Sequence, residues 1–208
     1  MNNIIIKNLG KLEWYKVVNN MNLFNKKRKF NTCDEIWLVE HYPIFTIGKK
    51  NKNKYKKINN IINIPIMYSD RGGDITYHGL GQQIIYFLID LKRKKINIKK
   101  FIDIIVKSII NTLSYFNIKS YYLKKRPGIY VKKKKICSLG LQIYKGYTSH
   151  GLALNVNMDL LPFKYIKPCG YKDLKMTQIK NFINNIKINK VTKILINFLI
   201  YILCIKYI

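Results

Sequence analysis

The chain has 208 residues, with 39 Lys and Arg against 10 Asp and Glu, for a net charge of +29. At 48% hydrophobic and 13% aromatic it is too apolar to be a disordered polycation, and its length suits one domain, 1–208, with a substantial core. Such charge fits a nucleic acid, an anionic surface or an acidic protein as partner, but Lys, Asn, Ile, Tyr and Phe, all abundant here, also have the most A/T-rich codons, so base composition alone accounts for the excess.

The first apolar run, 4–6, is too short for a secretory signal. Residues 13–24 carry spaced apolar positions that predict a helix, and a lysine-rich stretch follows. Ile36-Trp37-Leu38-Val39-Glu40 reads as a strand ending at His41-Tyr42-Pro43, and 44–48 as a short strand or turn. The Asn/Lys run 49–57 reads as a solvated loop. Residues 64–68 lead into a glycine-rich segment, 71–82, backed by a buried strand at 83–90. Apolar residues at Phe101, Ile104, Ile105, Ile109 and Leu113 predict a helix over 98–116. Strands follow at 128–131, 135–143 and 151–156, with hairpin turns at 132–135 and 144–146. Helical patterns close the chain after Met176. The apolar stretch 194–205 falls short of the ~20 residues a membrane helix needs, is interrupted by Asn197 and flanked by Lys193 and Lys206, and predicts a buried helix. This irregular mixture of strands and helices predicts an α+β fold.

The chemistry concentrates where the composition changes. Cys169 stands between Pro168 and Gly170, a framing that fixes the backbone and lets a substrate come close. A nearby cation favours the nucleophilic thiolate of such a thiol; Lys135 is a candidate, although lysine is so common here that proximity in sequence singles out none, and taken alone Cys169 reads equally as a structural residue. Cys137 and Cys204 lie in apolar runs and read as core residues; Cys33 has no such framing and no assigned role. With no C-x-x-C pair among the four, neither a metal site nor a disulfide framework is expected, and a reducing cytoplasm is the natural compartment. The segment 71–82 fails as a phosphate loop, since it lacks both the Gly-Lys-Ser/Thr and the G-x-G-x-x-G pattern. Its glycines suit close approach to a ligand chain, with Thr76, Tyr77 and His78 as hydrogen-bonding groups; His78 reads either as a base or as an anchor of the loop. His150 precedes Gly151-Leu152-Ala153, where small residues leave room for an acyl chain. His41, at a strand end, reads as structural.

R-G-G-D-x-T-Y-H-G-x-G-Q, K-I-C-S-L-G-L, H-G-L-A-L-N-V-N-M-D-L and P-C-G-Y, in that order over about 38–178, resemble the lipoyl(octanoyl) transferases. The resemblance implies a mixed sheet flanked by helices, as in the catalytic domains of biotin and lipoate protein ligases, without use of ATP. It implies Cys169 as the acyl-thioester nucleophile and Lys135 as its activating partner. The substrate-binding stretches it implies are Arg71, Gly72, Gly73, Asp74, Ile75, Thr76, Tyr77 and His78; Ser138, Leu139 and Gly140; and Gly151, Leu152 and Ala153. That family usually has proline where this chain has Leu80, and often where it has Tyr42; neither position carries chemistry.

The activity so implied moves octanoyl from octanoyl-acyl carrier protein, through acyl-Cys169, to a lysine of lipoyl domains in 2-oxoacid dehydrogenase complexes and of the glycine-cleavage H protein. It calls for no cofactor and no metal, no nucleic acid and no membrane, and it belongs to the cytoplasm. Two alternatives stand beside it. An ATP-dependent lipoate protein ligase would not need Cys169, and a basic nucleic-acid-binding protein rests on charge alone. A biotin ligase is weaker, because its G-R-G-R-x type loop is absent.

Overall fold

The structure, a computed structural model, describes residues 4–50, 60–170 and 173–205, and at 60, 61, 169, 204 and 205 the backbone only. Among the described residues the chain begins with β1 (Ile4–Leu12), α1 (Trp14–Lys27), β2 (Asp34–His41) and β3 (Ile44–Ile47). The two-residue β4 (Asn60–Ile61), β5 (Ile64–Tyr68), β6 (Ile75–His78) and β7 (Gln82–Leu88) lead to α2 (Ile98–Tyr115). Then come β8 (Tyr121–Tyr122), β9 (Gly128–Val131), β10 (Lys134–Tyr144), β11 (Tyr147–Asn155) and α3 (Ile188–Ile205). The order β1-β2-β7-β11-β10-β9-β8 makes a seven-stranded sheet, antiparallel except for β1 on β2; β4-β5-β3-β6 make a smaller sheet, with β3 and β5 parallel.

Local sequence explains the helices. In α1, Trp14, Val17, Val18 and Met21 recur at helical spacing and all four are buried. In α2, Phe101, Ile104, Ile105, Ile109 and Leu113 form the buried stripe, and the Asn97 side chain caps its start by accepting from the Lys100 N–H at 2.9 Å, a bond of about 1 kcal/mol. Residues in β7 alternate between two cores. Ile84, Tyr86 and Leu88 face α1 with Trp37 and Val39, while Ile85 and Phe87 face α2 and α3 with Ile36, Phe101 and Leu195. A strand covered on both faces reads as a continuous apolar run, and each such side chain contributes roughly 1.5–3 kcal/mol by leaving water. A third cluster, Phe45, Ile47, Ile75, Tyr77, Met158 and Phe163, belongs to the small sheet.

The expected strands and helices are present, and the mixed sheet flanked by helices is the expected architecture. Three differences have physical causes. β1 is an edge strand whose side chains are mostly exposed, so it lacks the apolar alternation that marks a strand; Lys7, Lys11 and a register shift between Asn8 and Lys11 guard that edge. Residues 75–78, inside the glycine-rich segment, form β6 because their backbone pairs with β3. The C-terminal helix starts at Ile188, before the expected 194, and is amphipathic: Val191, Leu195, Leu199 and Leu203 are buried while Tyr201 is exposed. Most of the expected loop 49–57 lies outside the described residues. Among those residues no helix is long and apolar enough to cross a membrane.

Candidate active site

The site forms where the turn between β5 and β6 meets the β10–β11 hairpin. Two of the stretches singled out in the sequence are cross-strand partners: Ser138 pairs with Ala153, Leu139 with Leu152, and Gly140 with Gly151. Arg71, Gly72, Gly73, Asp74, Thr76 and His78 face them across a narrow cavity of about 60 Å³, which Trp14, Ile84, Tyr86 and His150 also line. Strand alternation divides the rest of that segment: Ile75 and Tyr77 turn into the core of the small sheet. Gly151 has no alternative as a residue, because a Cβ there would overlap the Ile85 carbonyl oxygen of β7.

Gly72, Gly73, Asp74, Leu139 and Gly140 also line a second, broader cavity of about 420 Å³. Its apolar floor includes Ile98, Ile102, Ile105, Leu141 and Tyr122, exposed Lys50, Lys125 and Arg126 stand on its walls, and Lys135 reaches it from β10. Lys135 is 1% exposed. Two features aim it. β10 shifts register against β9 between Lys135 and Cys137, a bulge of the kind that redirects side chains. Opposite it, Gly128 leaves space for the lysine stem, since a Cβ would overlap Lys135 Cε and lie 2.7 Å from the Cys137 carbonyl oxygen. The ammonium sits 5.8 Å from the Tyr130 ring centroid, over the ring.

The two cysteines flanking this region differ. Cys137 is fully buried in the main core, and burial pushes its thiol up to about 12 despite the opposing field of Lys135, so it stays a protonated core residue. Cys169 occupies a short 3-10 turn, Pro168–Gly170, which lies against β6. Gly170 closes the turn at φ +81° and donates its N–H to the Lys167 carbonyl at 2.8 Å. Further along the same segment, Lys135 donates its N–H to the Lys175 carbonyl and accepts from the Thr177 N–H, both at 2.9 Å. The stretch carrying Cys169 is therefore docked, at its far end, on Lys135 itself.

Arg71, His78 and His150, which line the narrow cavity, are held by hydrogen bonds to groups around it. Arg71 donates through Nη2 to the carbonyls of Thr46 at 2.6 Å and Asp74 at 2.8 Å, and through Nη1 to Gly72 at 2.9 Å, which pins the turn onto β3. Both ring nitrogens of His78 are engaged, by Thr46 Oγ1 at 3.2 Å and Gln82 Oε1 at 2.8 Å. Burial, with the nearby His41 and Arg71, holds His78 down at about 3, so it is a neutral anchor of the loop. His41 is structural too: it bridges the Leu12 carbonyl and the Tyr86 hydroxyl, and burial lowers it to about 4. His150 Nε2 meets Asp70 Oδ1 at 2.6 Å, which holds the Asp70 carboxyl below its usual range. Thr46, Gln82, Asn155, Trp14, Tyr86 and Gly128 were not singled out in the sequence. Gln82 and Asn155 at least stand within those motifs; nothing local marks Trp14 as part of the lining of a cavity built from strands 60 and more residues away.

The architecture is that of ligase-type catalytic domains. A bi-partite lipoate protein ligase from Thermoplasma acidophilum has the same fold, with a TM-score of 0.74 at 15% identity over 98% of this chain and 85% of that one. The biotin protein ligase of Aquifex aeolicus follows at 0.56 and 11% identity, over 98% and 70%; such identities speak for the fold alone. The sequence matches the Lipoyl protein ligase A/B catalytic domain over residues 20–200. It is 56% identical to the octanoyltransferase of Buchnera aphidicola subsp. Acyrthosiphon pisum over 193 residues, 93% of this chain and 90% of that one. The chain belongs to the lipoyl protein ligase A/B catalytic domain family, among its octanoyltransferases, and is an acyltransferase. Relatives at this identity favour transfer over the ligase and nucleic-acid readings.

Proposed function

We propose that the chain takes octanoyl from the phosphopantetheine thioester of an acyl carrier protein and delivers it to a specific lysine of a lipoyl domain, through a thioester on Cys169. The observation that supports this most is convergence. Separate stretches of chain wall one narrow cavity, and beside it the buried Lys135 is bonded by its backbone to the segment that carries Cys169.

In the first step the Cys169 thiolate attacks the thioester carbonyl; its C–S bond to pantetheine breaks, and the departing thiolate takes up the proton that Lys135 gives up, leaving that amine neutral. In the second, the neutral amine of the acceptor lysine attacks acyl-Cys169 and loses a proton, the C–S bond breaks, and an amide forms. Lys135 serves as the cation that favours the Cys169 thiolate and, once neutral, as the group that takes the proton from the incoming amine. A thioester is already activated relative to an amide, so the cycle calls for no nucleotide and no metal. The acyl chain is assigned to the narrow cavity, between the turn 71–74 and the paired Ser138–Ala153, Leu139–Leu152 and Gly140–Gly151. Acceptors are the lipoyl domains of 2-oxoacid dehydrogenase complexes and the glycine-cleavage H protein, in the cytoplasm. The net charge of +29 helps by steering acidic carriers and domains.

The test is intact-protein mass spectrometry after mixing the chain with octanoyl-carrier protein in the absence of ATP. The expected result is one octanoyl added to the native chain, none to Cys169→Ser, and discharge of the adduct by a lipoyl domain. Acceptor modification only when ATP and free octanoate are supplied would replace this reading with a ligase.

A further inference from the structure

A line of buried polar side chains runs from the acyl-cavity wall to the backbone of Lys135. Arg71 donates from Nε at 3.2 Å and from Nη2 at 2.9 Å to Thr46 Oγ1. Thr46 Oγ1 lies 3.2 Å from His78 Nε2, and His78 Nδ1 lies 2.8 Å from Gln82 Oε1. Gln82 Nε2 donates to Asn155 Oδ1 at 2.8 Å, and Asn155 Nδ2 donates to the Thr177 carbonyl at 3.0 Å. The Thr177 N–H then reaches the Lys135 carbonyl at 2.9 Å. Thr46, His78, Gln82 and Asn155 are all buried, and Gln82 and Asn155 are cross-strand partners on β7 and β11.

The direction of every bond follows from one end. A guanidinium only donates, so Thr46 Oγ1 accepts from Arg71 and its own proton goes to His78 Nε2. A histidine that accepts at Nε2 is neutral and carries its proton on Nδ1, which is the form burial favours here. Gln82 must then present its oxygen to His78 and its amide nitrogen to Asn155, and Asn155 in turn presents its nitrogen to Thr177. Such a chain specifies one arrangement, because reversing one member sets acceptor against acceptor further along, and each bond polarises the next. Apolar side chains would fill the same space without that constraint.

We propose that Gln82 and Asn155 are positioning residues that fix the register of the Cys169-bearing segment on Lys135 and tie both to the Arg71 wall of the acyl cavity. The register of the parallel bridge between Lys135 and Met176 is held further along by the Lys180 N–H on the Val156 carbonyl at 2.8 Å and by the buried Ile179, and at the bridge itself by the Asn155 side chain on the Thr177 carbonyl. A slip of one residue there would present the opposite face of the segment, while the Asn155 bond to Thr177 holds a single register. This inference rests on the roles given above to Lys135 and Cys169.

The test compares Asn155→Leu, which removes the bond to Thr177, with Gln82→Met, which breaks the chain one step earlier and leaves Asn155 in place. Lys135→Met is the reference. The rate of alkylation at Cys169, followed by peptide mass mapping across pH, reports thiolate formation, and steady-state transfer separates kcat from KM. In both variants the alkylation midpoint should rise in the direction set by Lys135→Met, and kcat should fall ~10–100-fold, as for groups misplaced by about 1 Å, with little change in KM. If Lys135→Met moves the midpoint and the two folded variants do not, the positioning role is overturned and the role of Lys135 stands. If Lys135→Met leaves the midpoint in place, the role of Lys135 fails and the inference with it. If neither variant folds at 20 °C, as judged by native circular dichroism, the chain of bonds supports the whole fold and the positioning role is overturned.

Discussion

The two cavities share the wall formed by Gly72, Gly73, Asp74, Leu139 and Gly140, yet they are built on opposite principles. In the narrow one three polar side chains are engaged within the protein: Arg71 by backbone carbonyls, His78 by Thr46 and Gln82, His150 by Asp70. Its shape is set by backbone and fixed hydrogen bonds. The broad one has an apolar floor from α2, exposed cations on its walls and one buried lysine, Lys135, in its own lining. It has room for a bulky arm and the charge to attract an acidic carrier or acceptor domain. Under the proposed function, selection of the acyl chain falls to the narrow cavity and exchange of partners to the broad one, which also holds Lys135.

The most severe test of that division is at Lys135. Lys135→Met should reduce the rate of acyl-enzyme formation by ~10²–10³, within the range for loss of a proton-transfer or thiolate-stabilising group, while a thermal melt shows the fold retained. Rapid-quench mass spectrometry would measure it, and a rate near that of the native chain would remove Lys135 from the chemistry. Two glycines sharpen the contrast next. Gly151→Ala drives a Cβ into the Ile85 carbonyl oxygen of β7, so the narrow cavity loses its backbone geometry; about 1–3 kcal/mol or more of stability should go with it, read as a lower urea midpoint. Gly128→Ala overlaps the stem of Lys135 and crowds the Cys137 carbonyl, and should cost proportionally more in kcat than in stability.

The neutral wall makes a pH prediction. His41 and His78 are held at about 4 and about 3 in the folded chain, below the ordinary histidine value of about 6.5. Between that value and the folded ones the unfolded chain binds protons that the folded chain refuses, so stability falls as pH is lowered from about 6.5, by roughly 1.4 kcal/mol per pH unit for each histidine. Above it the contribution is fully present. Urea melts at pH 7 and pH 5 should show the loss, and His41→Gln should flatten it; an unchanged midpoint would mean that these rings take up protons in place. The smallest effect belongs to the broad cavity. Raising ionic strength from low to physiological should raise KM for an acidic carrier several-fold by screening, and should leave KM for a small uncharged octanoyl thioester unaltered.

Much of this was legible in the residues. The helical stripe in 98–115 and the apolar run of β7 are local patterns whose period states the element. The site stretches were legible because Gly, Arg, His and Pro-Cys-Gly break a background of Lys, Ile and Asn. β1 was not, because an exposed edge strand lacks alternation. Nor was the split of β6, where Thr76 and His78 line the cavity while Ile75 and Tyr77 enter a separate core, since that depends on recognising the glycine-rich segment as a strand.

By itself the sequence determined the α+β fold class and marked Cys169 and the glycine-rich segment by residue type and local spacing, while Lys135 and the full set of stretches that wall the site came from the family resemblance of its motifs. Only the tertiary structure decided that Cys137 is an inert core thiol, that His78 is an anchor, that Trp14 lines the narrow cavity and that Gln82 and Asn155 join its wall to Lys135. Burial and hydrogen-bond direction depend on which strands lie side by side, and neighbours brought together from distant parts of the chain leave no mark in local spacing.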